Sequence, residues 1–168
     1  TGVFPAPGNI GDGTRDEFKV NLTLPTERLG LRGGQFKLNL TKRISRVIDP
    51  TTKQERSISQ VKLLDGDMSY TQDFPSLKST LIIESGTFGN KTRLYRIGDI
   101  QTIVENPTSK ATWLYRPRPD LTLAFAVENF ASKERTRKRI IFSGGLRSTG
   151  VIATREARSA QLDPWLSL

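Results

Sequence analysis

Two carboxylate pairs come closest, among the residues of this chain, to a catalytic or cation-binding arrangement. Asp65 stands beside Asp67 and Asp16 beside Glu17, and paired carboxylates can transfer protons or bind cations. Asp-Gly-Asp is, however, a common turn sequence, and Asp16-Glu17 is expected at the entrance of a strand. Neither pair has a partner motif, so the sequence predicts no catalytic residue.

Histidine and cysteine are both absent from the chain. Their absence excludes serine–histidine–aspartate triads, thiol catalysis, disulfides and zinc sites built from histidine or cysteine within it. The glycine clusters are not phosphate loops, because none is followed by Lys-Ser or Lys-Thr, and they indicate turns or close backbone approaches: Gly11-Asp12-Gly13, Gly33-Gly34 and Gly144-Gly145. The sequence therefore predicts no metal site and no cofactor, and it assigns no ligand-binding residue.

The elements that carry these residues are predicted to be β-strands, because large apolar residues alternate with small or polar ones. In the clearest segment Leu121, Leu123, Phe125 and Val127 alternate with Thr122, Ala124, Ala126 and Glu128. The same period of two recurs at Phe18 to Leu24, at Phe36 to Leu40, at Met68 to Phe74 and at Leu81 to Ile83. A last strand is predicted within 151–168, and the chain is expected to be one all-β domain, an antiparallel up-and-down meander of about seven strands.

The predicted connections fall into two classes. Three are short, at 25–30, 75–77 and 117–120, whereas the alternate ones are long and polar, at about 45–57, 86–108 and 131–150. Short turns at one rim and long loops at the other are typical of outer-membrane β-barrels. The long segments also carry much of the basic charge.

Composition agrees with a barrel and excludes a helical membrane protein. Of 168 residues only 35% are hydrophobic, mean hydropathy is −0.42, and no run approaches the roughly 20 apolar residues of a membrane helix. Barrel strands need an apolar residue only at every second position. The sequence predicts one lipid-facing surface: Phe18, Val20, Leu22, Phe36, Leu38, Leu40, Leu121, Leu123, Phe125 and Val127. Four aromatic residues near the short turns are expected at the membrane interface: Tyr70, Phe74, Trp113 and Tyr115.

A net charge of +9 and the basic run at 133–139 favour a different interpretation, a basic all-β domain that binds nucleic acid. We regard this as the weaker hypothesis, because the aromatic residues lie within alternating strands and do not cluster beside the basic run. A basic loop could equally meet lipopolysaccharide or another anion. A soluble β-sandwich binding module is the other alternative, and it would require a dry core between two sheets.

The order of motifs resembles the C-terminal part of the β-barrel of a TonB-dependent outer-membrane receptor. The residues that carry the resemblance are Gly11-Asp12-Gly13-Thr14-Arg15, the turn from Leu24 to Gly34, Asp49-Pro50-Thr51-Thr52 followed by Arg56-Ser57-Ile58-Ser59, Asp73-Phe74-Pro75, Tyr115-Arg116-Pro117-Arg118-Pro119-Asp120, and Glu128-Asn129-Phe130. Their order and spacing cover nearly the whole chain.

The resemblance implies part of a transporter in the bacterial outer membrane that imports iron–siderophore complexes or another scarce nutrient. Such a barrel has about 22 strands around a plug. The implied partners are outer-membrane lipid, the remaining barrel strands and plug of the full receptor, and TonB, which acts through an N-terminal part that this sequence does not show. About seven strands cannot close such a barrel, so an open sheet with unpaired first and last strands is expected.

Overall fold

The computed structural model describes residues 11–131, 133–161 and 165–167, and in these residues the protein is all-β. The strands are β1 Gly13–Pro25, β2 Gly34–Ile48, β3 Glu55–Arg56, β4 Leu64–Phe74, β5 Ser79–Phe88, β6 Asn90–Tyr95, β7 Asp99–Glu105, β8 Ser109–Arg118, β9 Leu121–Glu128, β10 Lys133–Phe142, β11 Val151–Gln161 and β12 Trp165–Ser167. Three 3-10 turns accompany them, at Thr26–Leu29, Pro75–Leu77 and Ser143–Gly145. None of the described helical segments has the length and apolar character needed to cross a membrane.

Several successive strands occupy the same position in the sheet. β5 and β6, β7 and β8, β9 and β10, and β11 and β12 each share their neighbours, and we count each such pair as one long strand. Gly89 separates β5 from β6 at a φ of +69°, where a Cβ would lie 2.6 Å from the carbonyl oxygen of Leu64. With β1, β2 and β4 these make seven long strands, and the two-residue β3 pairs with the end of β2.

The seven long strands pair in chain order, and every ladder of more than one residue pair between consecutive ones is antiparallel. The exception is a single parallel bridge between Leu64 of β4 and Asn90 of β6. β1 pairs only with β2, while β11 and β12 pair only with β10 and β9, so among the described residues both outer edges of the sheet are open. The predicted all-β, antiparallel up-and-down meander of about seven strands is thus confirmed, as is its open form.

The connections at one rim are short, as predicted. The chain turns at residues 26–33, 75–78 and 119–120, and the register places all three turns at the same end of the sheet. We call this end the turn rim and the opposite end the loop rim. The strands nearer the turn rim (β1, β2, β4, β5, β8, β9 and β12) are the turn half, and β6, β7, β10 and β11 are the loop half.

Two of the three predictions of a long loop at the loop rim are wrong. Residues 86–108 contain the end of β5 with β6 and β7, leaving a tight turn at 96–98, and half of 131–150 is β10. Charged side chains hid these strands, because strand formation depends on cross-strand neighbours more than on intrinsic preference. The carboxylate pairs were also misplaced, since Asp65 and Asp67 lie within β4, and Asp16 and Glu17 lie inside β1.

The described residues form no dry core. Among them only two hydrophobic residues are buried, Val47 and Ala126. The accessible surface is 11756 Å², whereas a compact protein of 18.8 kDa exposes roughly 8,300 Å². The described residues therefore form one layer with two accessible faces, which speaks against the β-sandwich alternative.

Candidate functional site

One face of the turn half is apolar, and we call it the apolar face. Val20 lies opposite Leu40, and Leu22 lies opposite Leu38. The next strands continue the rows, from Phe36 through Tyr70, Ile83 and Ala111 to Val127. Because directly paired residues share a face and alternate residues of a strand do so too, all ten predicted lipid-facing residues lie on this one face.

The apolar face is accessible to solvent in the isolated chain. Phe18 is 60% exposed, Val20 is 52% exposed and Leu123 is 41% exposed. Further exposed members include Leu22, Leu24, Met68, Ile83 and Phe125. Soluble monomers rarely expose a contiguous apolar patch larger than a few hundred Å². A surface that extends over β1, β2, β4, β5, β8 and β9 therefore requires an apolar environment or a covering partner.

The four predicted interfacial aromatic residues lie on the apolar face toward the turn rim. Phe74 immediately precedes the Pro75–Leu77 turn and stacks on Trp113 with ring centroids 5.7 Å apart. Tyr115 pairs with Ser79, the first residue of β5, and Tyr70 pairs with Phe36 near the start of β2. Whether these rings meet a lipid interface stays a prediction.

The tyrosine hydroxyl of Tyr70 has a polar setting at this rim. It donates a 2.6 Å hydrogen bond to Oε1 of Gln72, whose Nε2 donates to the carbonyl oxygen of Arg32 at 2.7 Å. Gly34 makes room for the arrangement, because a Cβ there would collide with Thr26 Oγ1 and lie 2.7 Å from Gln72 Oε1. The ring of Tyr70 thus belongs to the apolar face while its hydroxyl is hydrogen-bonded within the protein.

The opposite face of the turn half, the polar face, carries ion pairs between neighbouring strands. Glu17 binds Arg15 at 2.8 Å, Lys19 at 2.9 Å and Arg43 at 2.5 Å. Arg43 also forms an ion pair with Asp65. One carboxylate from each of the two candidate pairs, Glu17 and Asp65, therefore has a structural role, because both bind the guanidinium group of Arg43.

Polar pairs continue along this face. Asn39 Nδ2 donates to Asp67 at 2.8 Å, Thr80 donates to Asp73 at 2.7 Å, and Lys110 lies 2.9 Å from Glu128. Among the described residues no group of three possible metal ligands is present. The arrangement suits a hydrated surface, because exposed ion pairs of this kind cost little in water and contribute modestly.

A buried ionic cluster lies at the loop rim and consists of Asp49, Arg56, Arg147 and Tyr95; we call it the rim cluster. The Asp49 carboxylate is fully buried. It accepts hydrogen bonds from the backbone amides of Thr51 and Thr52 at 2.8 and 3.1 Å. Its other oxygen is bound by Arg56, and by Arg147 at 2.6 Å.

The same two guanidinium groups lie over the ring of Tyr95, at 4.5 Å for Arg56 and 5.6 Å for Arg147. Arg147 also donates to the carbonyl oxygen of Arg96 in the 96–98 turn. The rim cluster therefore ties together the segment after β2, the turn between β6 and β7, and the segment between β10 and β11. Buried charges of both signs are each paired, which is the condition for their being tolerated.

Electrostatics within the rim cluster shift two pKa values. Burial raises the pKa of Asp49, but Arg147, Arg56 and the two backbone amides lower it more, and the net pKa lies well below its usual range. Burial likewise raises the pKa of Tyr95, but hydrogen bonds with Ser57 and Arg93 and the charges of Arg93 and Arg56 lower that pKa more, so the net shift is downward. The lowered pKa of Asp49 favours the ionised carboxylate that pairs with the two arginines.

The excess positive charge of the chain lies mainly in the loop half and its connections. Residues 90–108 and 131–161 contain eleven lysines and arginines and four carboxylates, a net charge of +7 out of +9. The basic run is a strand, in which Arg135 binds Glu105 at 3.0 Å, Arg137 binds Gln101 at 2.9 Å and Arg139 binds Asp99 at 2.6 Å. Three of the run's five cations are thus oriented by the neighbouring strand β7.

In comparisons with known proteins, no family profile, curated protein or solved structure matches the chain. Functional interpretation therefore depends on the residues themselves. Sequence reasoning found the apolar face but missed the rim cluster. The Asp49-Pro50-Thr51-Thr52 segment signalled a carboxylate-capped turn, yet nothing local pointed to Arg147 or Tyr95.

Proposed function

We propose that the chain is part of the β-barrel of a TonB-dependent receptor in the bacterial outer membrane. One observation carries the proposal: a single-layer sheet with an exposed apolar face on one side and an ion-paired polar face on the other. A barrel wall needs this arrangement, because one face meets hydrocarbon and the other meets a wet interior. The choice of family rests on the resemblance of the sequence motifs to the C-terminal part of such a barrel.

Strand length supports a membrane-spanning role for the turn half. β1 has 13 residues, β2 has 15 and β4 has 11, whereas a tilted strand crosses the hydrocarbon with about 9–11. Each fully covered Leu or Phe side chain contributes roughly 1.5–3 kcal/mol relative to exposure in water. Lipid contact would therefore recover a large stabilisation that the isolated sheet lacks.

The open edges support the presence of neighbouring strands. Unpaired backbone groups at β1 and β11 cannot be satisfied by hydrocarbon, so a spanning sheet must continue on both sides. The proposed neighbours are the remaining barrel strands, which enclose a plug contacted by TonB. The proposed cargo is an iron–siderophore complex or another scarce nutrient, and the proposed lumen is the polar face.

Location and orientation can be tested with cysteines, because the chain has none of its own. Ser148→Cys at the loop rim and Ser76→Cys at the turn rim form a matched pair, and both serines are exposed. The polypeptide that carries this sequence is produced in a Gram-negative host and treated with a membrane-impermeant maleimide. We expect the cysteine at 148 to react in intact cells, and the one at 76 only after the outer membrane is opened.

Two further measurements accompany the labelling. The polypeptide should sediment with outer membranes and migrate faster in detergent gels before boiling than after it. Uptake of radioactive iron, offered as ferric hydroxamate and ferric catecholate chelates, should fall when the gene is deleted or the proton gradient is collapsed. Recovery in the soluble fraction, or equal labelling of both cysteines in intact cells, would refute the outer-membrane assignment.

A further inference from the structure

The arginines of β10 form a row with Arg155 on one face of the loop half. Arg139 lies directly opposite Arg155 in the register of β10 and β11, and Arg135 and Arg137 alternate with Thr136 and Lys138 on the same strand as Arg139. We call Arg135, Arg137, Arg139 and Arg155 the arginine row. It carries four positive charges against the two carboxylates of Glu105 and Asp99.

The arginine row lies on the same side of the sheet as the apolar face. Leu64 is on that face, because it pairs with Lys42, which pairs with Phe18. A bridge joins Leu64 to Asn90, Asn90 pairs with Glu105, and Glu105 pairs with Arg135. Residues that pair directly share a face of the sheet. A hollow of about 410 Å³ is lined by Met68 and Ile83 of the turn half and by Pro107 and Phe130 of the connections that lead to the loop half.

Like charges placed directly opposite each other on a sheet are destabilising. Arg139 is compensated by Asp99 at 2.6 Å, whereas Arg155 has no carboxylate within ion-pair distance among the described residues. Both Arg137 and Arg155 are exposed. Glu105, Gln101 and Asp99 each bind one side of an arginine of β10. The remaining N–H groups of these guanidinium groups point outward in a fixed orientation, which suits bidentate binding of phosphate.

We propose that the arginine row binds the phosphate groups of lipopolysaccharide, the anionic glycolipid of the outer leaflet. The inference rests on the proposed outer-membrane location, which places the row just beyond the hydrocarbon that covers the apolar face. Acyl chains then lie against the apolar face while the phosphates neutralise the row. Charge complementarity and continuity with the apolar face select this occupant over a soluble anion.

The test compares two double variants that remove the same charge from opposite faces of the same two strands. R137Q/R155Q removes half of the arginine row without leaving a buried carboxylate unpaired. K138Q/R158Q removes two cations from the other face and is the matched control. Each double variant is made in the polypeptide that carries this sequence and is placed in nanodiscs of uncharged phospholipid, and binding of purified lipopolysaccharide is measured at fixed salt.

We expect R137Q/R155Q to weaken binding by about tenfold or more, since charge-assisted contacts to phosphate are lost. K138Q/R158Q should change it less than about threefold, and dephosphorylated lipopolysaccharide should bind all proteins weakly. Equal binding by both double variants, or competition by millimolar inorganic phosphate as strong as by lipopolysaccharide, would overturn the inference. A single-stranded oligonucleotide that outcompetes lipopolysaccharide would favour nucleic acid and overturn it too.

A spin label at position 123 in the same nanodiscs separates this inference from the proposed function. If the label contacts lipid while R137Q/R155Q binds lipopolysaccharide normally, the inference fails alone. If the label is exposed to water, the outer-membrane assignment fails as well.

Discussion

The turn half and the loop half belong to one sheet, yet their surfaces differ. In the turn half an apolar face backs a polar face of compensated ion pairs such as Glu17 with Arg43. In the loop half and its connections cations outnumber carboxylates by eleven to four, and three arginines of β10 bind β7. One sheet thus combines an apolar surface in one half with a cationic surface in the other.

The two halves also differ in what holds them together. In the described residues the turn half has ladder hydrogen bonds and short turns but no fully buried ion pair, and we expect it to gain most of its stability from its surroundings. The loop half is fixed internally, because the rim cluster connects three separate segments through one carboxylate. Substitutions in the two halves should therefore respond to different variables, lipid in one and charge pairing in the other.

The largest effect is expected at Asp49. Replacing it by alanine leaves Arg56 and Arg147 buried without their carboxylate, and removing one partner of a buried ion pair costs about 3–5 kcal/mol. Denaturant unfolding and hydrogen exchange of the loop rim measure the loss. D120A is the control, because Asp120 and Arg118 form an exposed pair 3.9 Å apart, and it should cost less than about 1 kcal/mol. Comparable losses in the two variants would show that the rim cluster does not hold the loop rim.

The next effect concerns the apolar face. Leu123→Arg should cost about 2–4 kcal/mol in a bilayer if the residue lies near the midplane, because the charge enters hydrocarbon. Its neighbour Ala124 is on the polar face, and Ala124→Arg should cost no more than about 1 kcal/mol. Folding free energies in lipid vesicles provide the measurement. A larger penalty at 124 than at 123 would reverse the assignment of the two faces.

The pH dependence of the rim cluster should be unusual. Asp49 has a lowered pKa in the folded protein, so its stabilising contribution is complete above the unfolded value of about 3.9 and is lost only as pH falls through the folded value. Protection of residues 49–63 from proteolysis by an acid-active protease should therefore persist at pH 4 and decline below about pH 3. In D49N the protection should no longer depend on pH in this range. If the pH profile of protection is the same in D49N as in the unsubstituted protein, other carboxylates cause the loss.

The smallest effect is expected on the polar face, at Lys110 and Glu128. Their ion pair of 2.9 Å is exposed and joins directly opposite residues of β8 and β9. A double-mutant cycle should give a weak coupling that shrinks as salt is added. A strong coupling that is insensitive to salt would indicate that the polar face is dry.

Alternation of side chains was sufficient to predict the strands of the turn half and the residues that share its apolar face. At Leu121 to Val127 hydrophobicity and strand period agree, so the local pattern determined the face. The same approach failed for β10, whose exposed arginines resemble those of a loop until their partners on β7 are known. It also could not assemble the rim cluster, because Asp49 and Arg147 meet only after the intervening strands have paired.

The central claim is that the apolar face meets hydrocarbon, and spin labels on β9 test it most directly. Single cysteines at positions 121 to 127 are labelled in the polypeptide that carries this sequence, reconstituted in a bilayer, and their collision rates with oxygen and with a water-soluble nickel chelate are compared. Oxygen should dominate at Leu121, Leu123 and Phe125, and nickel at the residues between them, with a period of two. Nickel access that is equal at every position, or highest at 123 and 125, would contradict the account.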